Sequence, residues 1–216
     1  MNGITFREDF GCWWPDYDHA PEKCFALVKR NLSDCRVATS LCKKRGVCVQ
    51  AGGHAGFWPM ELSKYFVDVR TFEPEPALFE CMVRNLGLPD SKMGRSPRTH
   101  DGITVRRAAL GAEVGQVMMR PHCSAGSWSV ADDGTIPVEQ VTIDSLNLSA
   151  CDAIFLDVEG YERESLRGAL LTIMKFKPVL HVEMLPRSAD MIRAYVQSLG
   201  YARHSRVHKD EIFVPR

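Results

Sequence analysis

VCVQAGGHAGFWPMELSKYFVDVRTFEPEP, residues Val47–Pro76, is the stretch that decides the fold. It opens with a short apolar run, Val47–Ala51, of the kind that forms a buried parallel strand. We expect a helix from Phe57 to Phe66 and a second strand from Val67 to Phe72. Between the first strand and the helix the backbone must turn tightly and let a ligand approach closely, which glycine permits. The glycines there are Gly52, Gly53 and Gly56.

Glu73 stands at the carboxyl end of the second predicted strand, about 20 residues after the glycine turn. In doubly wound nucleotide-binding folds, an acid at this position accepts hydrogen bonds from the ribose hydroxyls of an adenosine group. The glycine spacing differs from the dinucleotide fingerprint G-x-G-x-x-G, whose middle glycine admits a pyrophosphate. The spacing therefore argues against an oxidoreductase that binds a dinucleotide.

Strand and helix patterns alternate along the rest of the chain. This alternation predicts an α/β fold: a Rossmann-like, doubly wound, mostly parallel sheet with an antiparallel C-terminal strand. We also expect Val117–Met119 to pair with Val138–Val141 as an inserted hairpin. Further strands are predicted at Ile103–Ala109, Ala153–Leu156, Val179–Met184, Tyr201–His204 and Ile212–Val214. Helices are predicted from Pro21, from a cap at Ser33, from Pro76, from Glu162 and from a cap at Ser188.

Length and composition limit the class of protein. The 216 residues suit one well-buried core, which we divide into an N-terminal helical flap (1–46) and a cofactor-binding domain (47–216). The 27 basic and 27 acidic residues balance, so bulk charge indicates neither nucleic acid nor an anionic membrane as a partner. The sequence contains no apolar run of membrane-spanning length and no recognisable secretion signal. Eight cysteines without C-x-x-C spacing argue against zinc and predict free thiols in a cytoplasmic protein.

Three motifs occur in order: VQAGGHAG (Val49–Gly56), FEPEP (Phe72–Pro76) and LDVEGYE (Leu156–Glu162). Together they resemble the FkbM family of S-adenosylmethionine (SAM)-dependent methyltransferases, from about Val47 to the C-terminus. The resemblance implies a class I methyltransferase fold with SAM as the cofactor. An amide at position 50 departs from the acid that many such motifs carry. The resemblance assigns cofactor binding to Gln50, Ala51, Gly52, Gly53, Gly56, Glu73, Pro74, Ala109, Leu110 and Asp157.

Ionisable residues gather at the predicted strand ends. His181 and Glu183 share one face of the fifth strand, and burying both is costly unless they are paired or used. We predict His181 as the general base of methyl transfer, with Glu183 or Asp157 orienting it. A structural pair of His181 with Asp157 is the alternative, and Asp157 is also expected to reach the cofactor's amino group. These residues and Glu159 also suit a divalent cation, Mg²⁺ or Mn²⁺.

The resemblance favours O-methylation of a hydroxyl on a sugar or other small metabolite. The alternative is a nucleotide- or RNA-directed, 2'-O-type methyltransferase, whose phosphate would need a basic rim. We consider a nucleic-acid partner the weaker hypothesis, because the same residues suit an ordinary solvated surface. A non-catalytic binding module is disfavoured by the carboxylates at the strand ends. The sequence leaves the acceptor and the oligomeric state open. The rim would comprise Arg95, Arg98, Arg106, Arg107, Arg203, Arg206 and Lys209.

Overall fold

A computed structural model of the chain describes residues 3–88, 98–100 and 102–216. The strands in this part of the chain are β1 (Ile4–Arg7), β2 (Cys12–Pro15), β3 (Val47–Ala51), β4 (Asp68–Phe72), β5 (Arg98–His100), β6 (Ile103–Arg106), β7 (Ala109–Leu110), β8 (Gly115–Arg120), β9 (Ser129–Val130), β10 (Ile136–Val141), β11 (Ala153–Leu156), β12 (Val179–Glu183), β13 (Tyr201–Val207) and β14 (Asp210–Pro215). The helices are α1 (Pro21–Asn31), α2 (Cys35–Leu41), α3 (Phe57–Leu62), α4 (Pro76–Asn85), α5 (Glu162–Arg167), α6 (Leu170–Phe176) and α7 (Ala189–Ser198), with a 3₁₀ turn at Asp144–Leu146.

Eight strands form the central sheet, in the order β13-β14-β12-β11-β3-β4-β6-β5. The five strands from β12 to β6 run parallel to one another, whereas β14, β13 and β5 run antiparallel to the strands they pair with. The chain builds outward from β3 in both directions, so the switch point lies between β3 and β11. The predicted doubly wound α/β fold with an antiparallel C-terminal end is confirmed. Ligands of such sheets bind at the carboxyl ends of the strands beside this switch point.

The register of the central strands determines which side chains meet. Phe155 lies opposite Gln50 on one side and His181 on the other, so these three share one face of the sheet. Leu156 is the last residue of β11 and lies opposite Ala51 and Val182. The next residues along the three strands therefore meet at the carboxyl edge. They are Gly52, Asp157 and Glu183.

Two predicted elements are divided in the structure. The third parallel strand ends at Arg106, and the chain continues into β7, which belongs to a second sheet. The helix predicted from Glu162 to Ile173 breaks at Gly168, where a Cβ atom would lie 1.9 Å from the carbonyl oxygen of Gly111. This close approach of two backbones ends α5, and Leu170 is exposed rather than aligned with the core.

The helices were predicted correctly more often than the residues that cap or end them. Ser33 does not cap α2, because its hydroxyl donates to the carbonyl of Arg30 at 2.9 Å. Ser188 precedes α7 but its hydroxyl likewise donates backwards, to the carbonyl of Leu185. α4 is capped by Glu75, whose carboxylate accepts from two backbone amides of the first turn. The helix predicted over Phe57–Phe66 already ends at Leu62.

The N-terminal segment begins with a β-hairpin, β1–β2, rather than with helix alone. The side chain of Asn85 binds it to α4, accepting from the amide of Trp13 at 2.7 Å and donating to its carbonyl at 3.0 Å. Trp14 is fully buried, and its Nε1 donates to Asp18 at 2.8 Å. This packing makes the hairpin continuous with the hydrophobic core around α4.

The segment between β7 and β11 forms a second sheet, in the order β7-β10-β8-β9. Val138 lies opposite Val117 in antiparallel register, which confirms the predicted hairpin pairing. The loop between β8 and β9 returns over the carboxyl edge of the main sheet.

All eight cysteines carry free thiols, as predicted. Within the described ranges, every helix is too short or too polar to cross a membrane.

Candidate active site

A cavity of about 330 Å³ lies at the switch point, at the carboxyl ends of β3, β4 and β11. Its volume falls in the range of small-molecule sites. Most of the residues predicted to bind the cofactor line it: Ala51, Gly52, Glu73, Pro74, Ala109, Leu110 and Asp157. The described lining does not include the other three, which are Gln50, Gly53 and Gly56.

Gly52 brings the glycine loop against the end of β11. Its φ is +82°, and a Cβ atom there would lie 1.9 Å from the carbonyl oxygen of Asp157. The amides of Gly52 and Gly53 both donate to the carbonyl of Phe72, at 3.0 and 2.9 Å. Only a residue without a side chain fits this turn, because both the backbone angle and the space exclude Cβ.

Gly53 and Gly56 face α4 rather than the cavity. A Cβ atom on Gly53 would lie 2.8 Å from Sδ of Met82 and from Oγ1 of Thr71. Gly56 has a φ of +96°, and its Cβ would lie 3.2 Å from Cα of Met82. These glycines let the loop pack closely on α4, and the assignment of Gly53 and Gly56 to cofactor binding stays a prediction.

The side chain of Gln50 stabilises the glycine loop through hydrogen bonds. Its amide nitrogen donates to the carbonyls of Ala51 and Gly52, at 3.1 and 2.8 Å. Its amide oxygen accepts from the hydroxyl of Thr71. With its hydrogen bonds directed into the loop and 1% exposure, Gln50 holds the loop in place, and the geometry does not favour direct cofactor contact.

Glu73 is a buried acceptor at the wall of the cavity. Its carboxylate accepts from the amides of His54 and Glu75, at 2.8 and 2.9 Å. Burial raises the pKa of Glu73 to about 8, against the opposing effect of these two amides. The carboxyl group is thus held rigidly at the carboxyl end of β4, where the sequence predicts a ribose-binding acid.

His54 also lines the cavity, in a left-handed conformation with φ of +50°. Burial lowers the pKa of His54 to about 4, so its imidazole is neutral near pH 7. The ring packs against Trp14, with the centroids 5.4 Å apart. Its Nδ1 has no hydrogen-bond partner among the described residues.

The register brings Asp157 and Glu183 together where β11 and β12 end, and the carboxylate of Glu159 joins them. Atoms of Asp157, Glu159 and Glu183 all lie within 4.8 Å of one another. Lys209, at the turn between β13 and β14, contacts Oε1 of Glu183 and lies 3.7 Å from Oδ1 of Asp157. Burial would lower the pKa of Lys209, but the carboxylates outweigh it and raise it, so the side chain is an ammonium.

Glu159 is an acid of this cluster whose pKa lies close to neutral pH. Burial and the neighbouring Asp157 raise the pKa of Glu159 to about 7, while Lys209 and Arg187 oppose the shift. Its φ of +54° is unusual for a residue other than glycine. The guanidinium of Arg187 holds this conformation by donating to the carbonyl of Glu159 at 3.0 Å. Glu159 lines the cavity beside Asp157.

His181 lies in the core, outside the described lining of the cavity. Its side chain is 3% exposed and packs against the rings of Trp58 and Phe155. Burial lowers the pKa of His181 to about 4, and its Nε2 lies 3.6 Å from Oδ2 of Asp210. The geometry does not support His181 as the general base, because an imidazole buried under the strand end does not reach a substrate in the cavity. The acid nearest its ring nitrogen is Asp210 rather than Asp157.

Two segments outside the parallel sheet close the cavity. α1 contributes Lys23, Cys24, Leu27 and Val28, and the loop before β9 contributes residues 124–128. The thiol of Cys24 donates to the carbonyl of Ala125 at 3.1 Å and joins the two walls. Burial raises the pKa of Cys24 to about 12, so the thiol is protonated. The sequence placed Lys209 only in a predicted basic rim, because its approach to the carboxylates depends on tertiary packing.

The predicted basic rim is largely neutralised where the structure describes it. Arg106 pairs with Glu139 at 2.9 Å, and Arg203 pairs with Glu211 at 3.3 Å. Lys209 faces the acid cluster. The guanidinium of Arg206 donates to a backbone carbonyl. Arg95 and the side chain of Arg98 lie outside the described residues.

The doubly wound sheet, the glycine turn and the buried acid after β4 define the class I, SAM-dependent methyltransferase fold. The model of the FkbM methyltransferase domain matches residues 50–202, which is more than half of the chain. The chain therefore belongs to the FkbM methyltransferase family. No match was found among curated proteins.

Solved structures support the fold. The methyltransferase FkbM from Methylobacillus flagellatus KT superimposes with a TM-score of 0.54 at 21% identity, over 79% of this chain and 43% of that one. This chain thus spans less than half the length of that protein. A Methanococcus maripaludis protein assigned as an SAM-dependent methyltransferase gives 0.52 at 11% identity, over 93% and 90% of the two chains. Precorrin 8w decarboxylase from Methanobacterium thermoautotrophicum gives 0.51 at 13% identity, over 87% and 90%.

Proposed function

We propose that the chain catalyses transfer of a methyl group from SAM to a hydroxyl of a sugar or other small metabolite. The observation that carries the proposal is the cavity at the switch point, which has Glu73 at one wall and the carboxylates of Asp157 and Glu159 at another. SAM supplies an electrophilic methyl group on a positively charged sulfonium. Carboxylates around the cavity complement that charge and the charge of the cofactor's ammonium group.

Each part of the cavity suits one part of the cofactor. The buried carboxyl group of Glu73 would accept the ribose hydroxyls, and Ala109 and Leu110 offer an apolar surface to the adenine. Gly52 lines the cavity at the tight turn, where its backbone would face the amino-acid portion. Asp157 lies where it would bind the ammonium group. Gln50 supports this arrangement by holding the loop rather than by contacting the ligand.

Glu159 is the group best suited to accept the proton of the acceptor hydroxyl. Its pKa of about 7 fits a general base that works near neutral pH. In the proposed reaction the hydroxyl oxygen bonds to the methyl carbon as the carbon–sulfur bond breaks. The electron pair of that bond goes to sulfur, and the hydroxyl proton goes to the Glu159 carboxylate. Glu159 replaces His181, whose burial keeps it from the cavity.

The first 46 residues complete the site in this proposal. α1 forms a wall of the cavity, and the β1–β2 hairpin anchors that segment to α4 through Asn85. We therefore assign 1–46 as a flap that closes the site and 47–216 as the catalytic domain. The eight free thiols favour a reducing compartment such as the cytoplasm.

Ligand binding and product analysis test the proposal together. Titration calorimetry should detect binding of SAM and of its demethylated product, but not of NAD. Candidate acceptors are then incubated with SAM labelled in the methyl group, and the position of the label is read by mass spectrometry. Tight binding of NAD without binding of SAM would refute the proposal. Label on a nitrogen or carbon atom of the acceptor would refute O-methylation but not methyl transfer from SAM.

A further inference from the structure

Lys209 pairs with two of the three carboxylates, those of Glu183 and Asp157, at the edge of the cavity. It lies in the tight turn between β13 and β14, and the amide of Met184 donates to its carbonyl at 3.0 Å. This bond fixes the turn against the end of β12. The ammonium reaches Glu183 and Asp157 from there, and the side chain remains 38% exposed and faces the cavity.

The cluster has the composition of a divalent cation site. Three carboxylates with atoms within 4.8 Å of one another are the ligands that Mg²⁺ and Mn²⁺ prefer. Glu183 is 1% exposed, and its Oε2 has no hydrogen-bond partner among the described residues. Like charges at this distance repel, so the cluster requires either a cation or bound protons. The ammonium of Lys209 supplies a cation from within the chain.

We propose that Lys209 is the built-in cation of this active site, taking the place that a divalent metal would occupy. It holds Asp157 and Glu183 in position by charge and hydrogen bonding, so that the neighbouring Glu159 faces the acceptor. Lys209 is a positioning residue in this scheme, because it acts through the acids. The expected effect of Lys209 on turnover rests on the proposed function. Its expected effect on metal binding follows from the carboxylate cluster alone.

The substitution Lys209→Met tests the proposal, because it removes the charge and leaves a chain of similar volume. The wild-type protein should bind Mn²⁺ weakly, and its methyl transfer should be unaffected by EDTA. The variant should bind Mn²⁺ at least about tenfold more tightly, since the three carboxylates then lack a cation. Its turnover should fall by about tenfold or more and should be partly restored by Mg²⁺ or Mn²⁺.

Two parallel variants keep the result interpretable. Lys209→Gln retains a hydrogen-bond donor without the charge and should behave like Lys209→Met, so the test does not depend on one variant folding. Lys64→Met removes the ammonium of an exposed lysine that pairs with Glu61, and it should change neither Mn²⁺ affinity nor turnover. Mn²⁺ affinity is measured by calorimetry and by electron paramagnetic resonance, which need no methyl acceptor.

Three results would overturn the proposal. The first is tight Mn²⁺ binding by the wild-type protein together with loss of activity on chelation. The second is unchanged Mn²⁺ affinity in both Lys209 variants. The third is full turnover in the Lys209 variants without metal. Failure of the proposed function is distinguishable, because it would appear as absence of SAM binding and methyl transfer in the wild type while the Mn²⁺ comparison still holds.

Discussion

Glu73 should release a proton when SAM binds. In the free protein, burial raises the pKa of its carboxyl group to about 8, so the group is mostly protonated at pH 7. Two ribose hydroxyls donating to the carboxylate would favour its charged form and lower the pKa. Two fixed backbone donors, the amides of His54 and Glu75, already stand ready to stabilise that form.

The magnitude follows from the ordinary titration curve. A group with a pKa about one unit above the pH is about 90% protonated, so SAM binding at pH 7 should release close to one proton. Affinity should therefore rise with pH between about 6 and 8, by up to about tenfold per unit, and level off above pH 8. Glu73→Gln should abolish the proton release. It should also weaken SAM binding by about 1.5–3 kcal/mol, or about 10–150-fold, the scale of hydrogen bonds to a charged group.

Calorimetry in buffers of different ionisation enthalpy measures the released protons directly. Glu164→Gln serves as the control, because it removes a half-buried carboxylate that pairs with Arg167 and does not line the described cavity. Thermal unfolding of each variant shows whether any affinity loss reflects unfolding. Binding of SAM without proton release in the wild type would contradict the pKa argument. Unchanged affinity in Glu73→Gln would contradict the assignment of Glu73 to the ribose.

Three further outcomes are expected. Gly52→Ala should destabilise the fold by several kcal/mol more than Gly200→Ala. Both glycines have φ near +82°, but only at Gly52 would the Cβ atom clash with a backbone carbonyl. Chemical denaturation measures the difference in the free energy of unfolding. His181→Ala should lower the free energy of unfolding by about 2–4 kcal/mol, the cost of leaving a cavity in the core. The turnover of the folded variant should stay within about tenfold of the wild type. A loss of 10²-fold or more would instead support His181 as the general base. Turnover should rise with pH through about 7, as Glu159 loses its proton, and Glu159→Gln should lower it by about 10²-fold and remove that rise; an unchanged profile would exclude Glu159.

The sequence predicted the parallel strands because their signals are local. Apolar runs such as Val47–Ala51 and Ala153–Leu156 form buried strands wherever they are placed, and glycine at position 52 permits a backbone angle that other residues resist. Glu73 was located by its distance along the chain from the glycine turn. These features depend on covalent spacing and backbone sterics, which the sequence contains directly.

Burial and side-chain direction could not be predicted in the same way. His181 and Glu183 share one strand face, yet His181 lies beneath the rings of Trp58 and Phe155 while Glu183 reaches the edge. Two residues along the strand separate the core imidazole from the carboxylate at the strand end. The sequence alone does not say at which residue the covering helix ends, and that decides whether an imidazole is a base or a core residue.

The sequence by itself determined a doubly wound fold, a glycine turn without a pyrophosphate site and an acid at the end of β4. Only the tertiary structure decided that Lys209 lies beside the carboxylates at the ends of β11 and β12. Lys209 follows Asp157 by 52 positions and reaches it because the β13–β14 hairpin folds back on β12. A pattern within one strand or helix carries no information about such a contact. The ammonium lies beside the carboxylates because of the antiparallel register between separate elements, which spacing along the chain does not reveal.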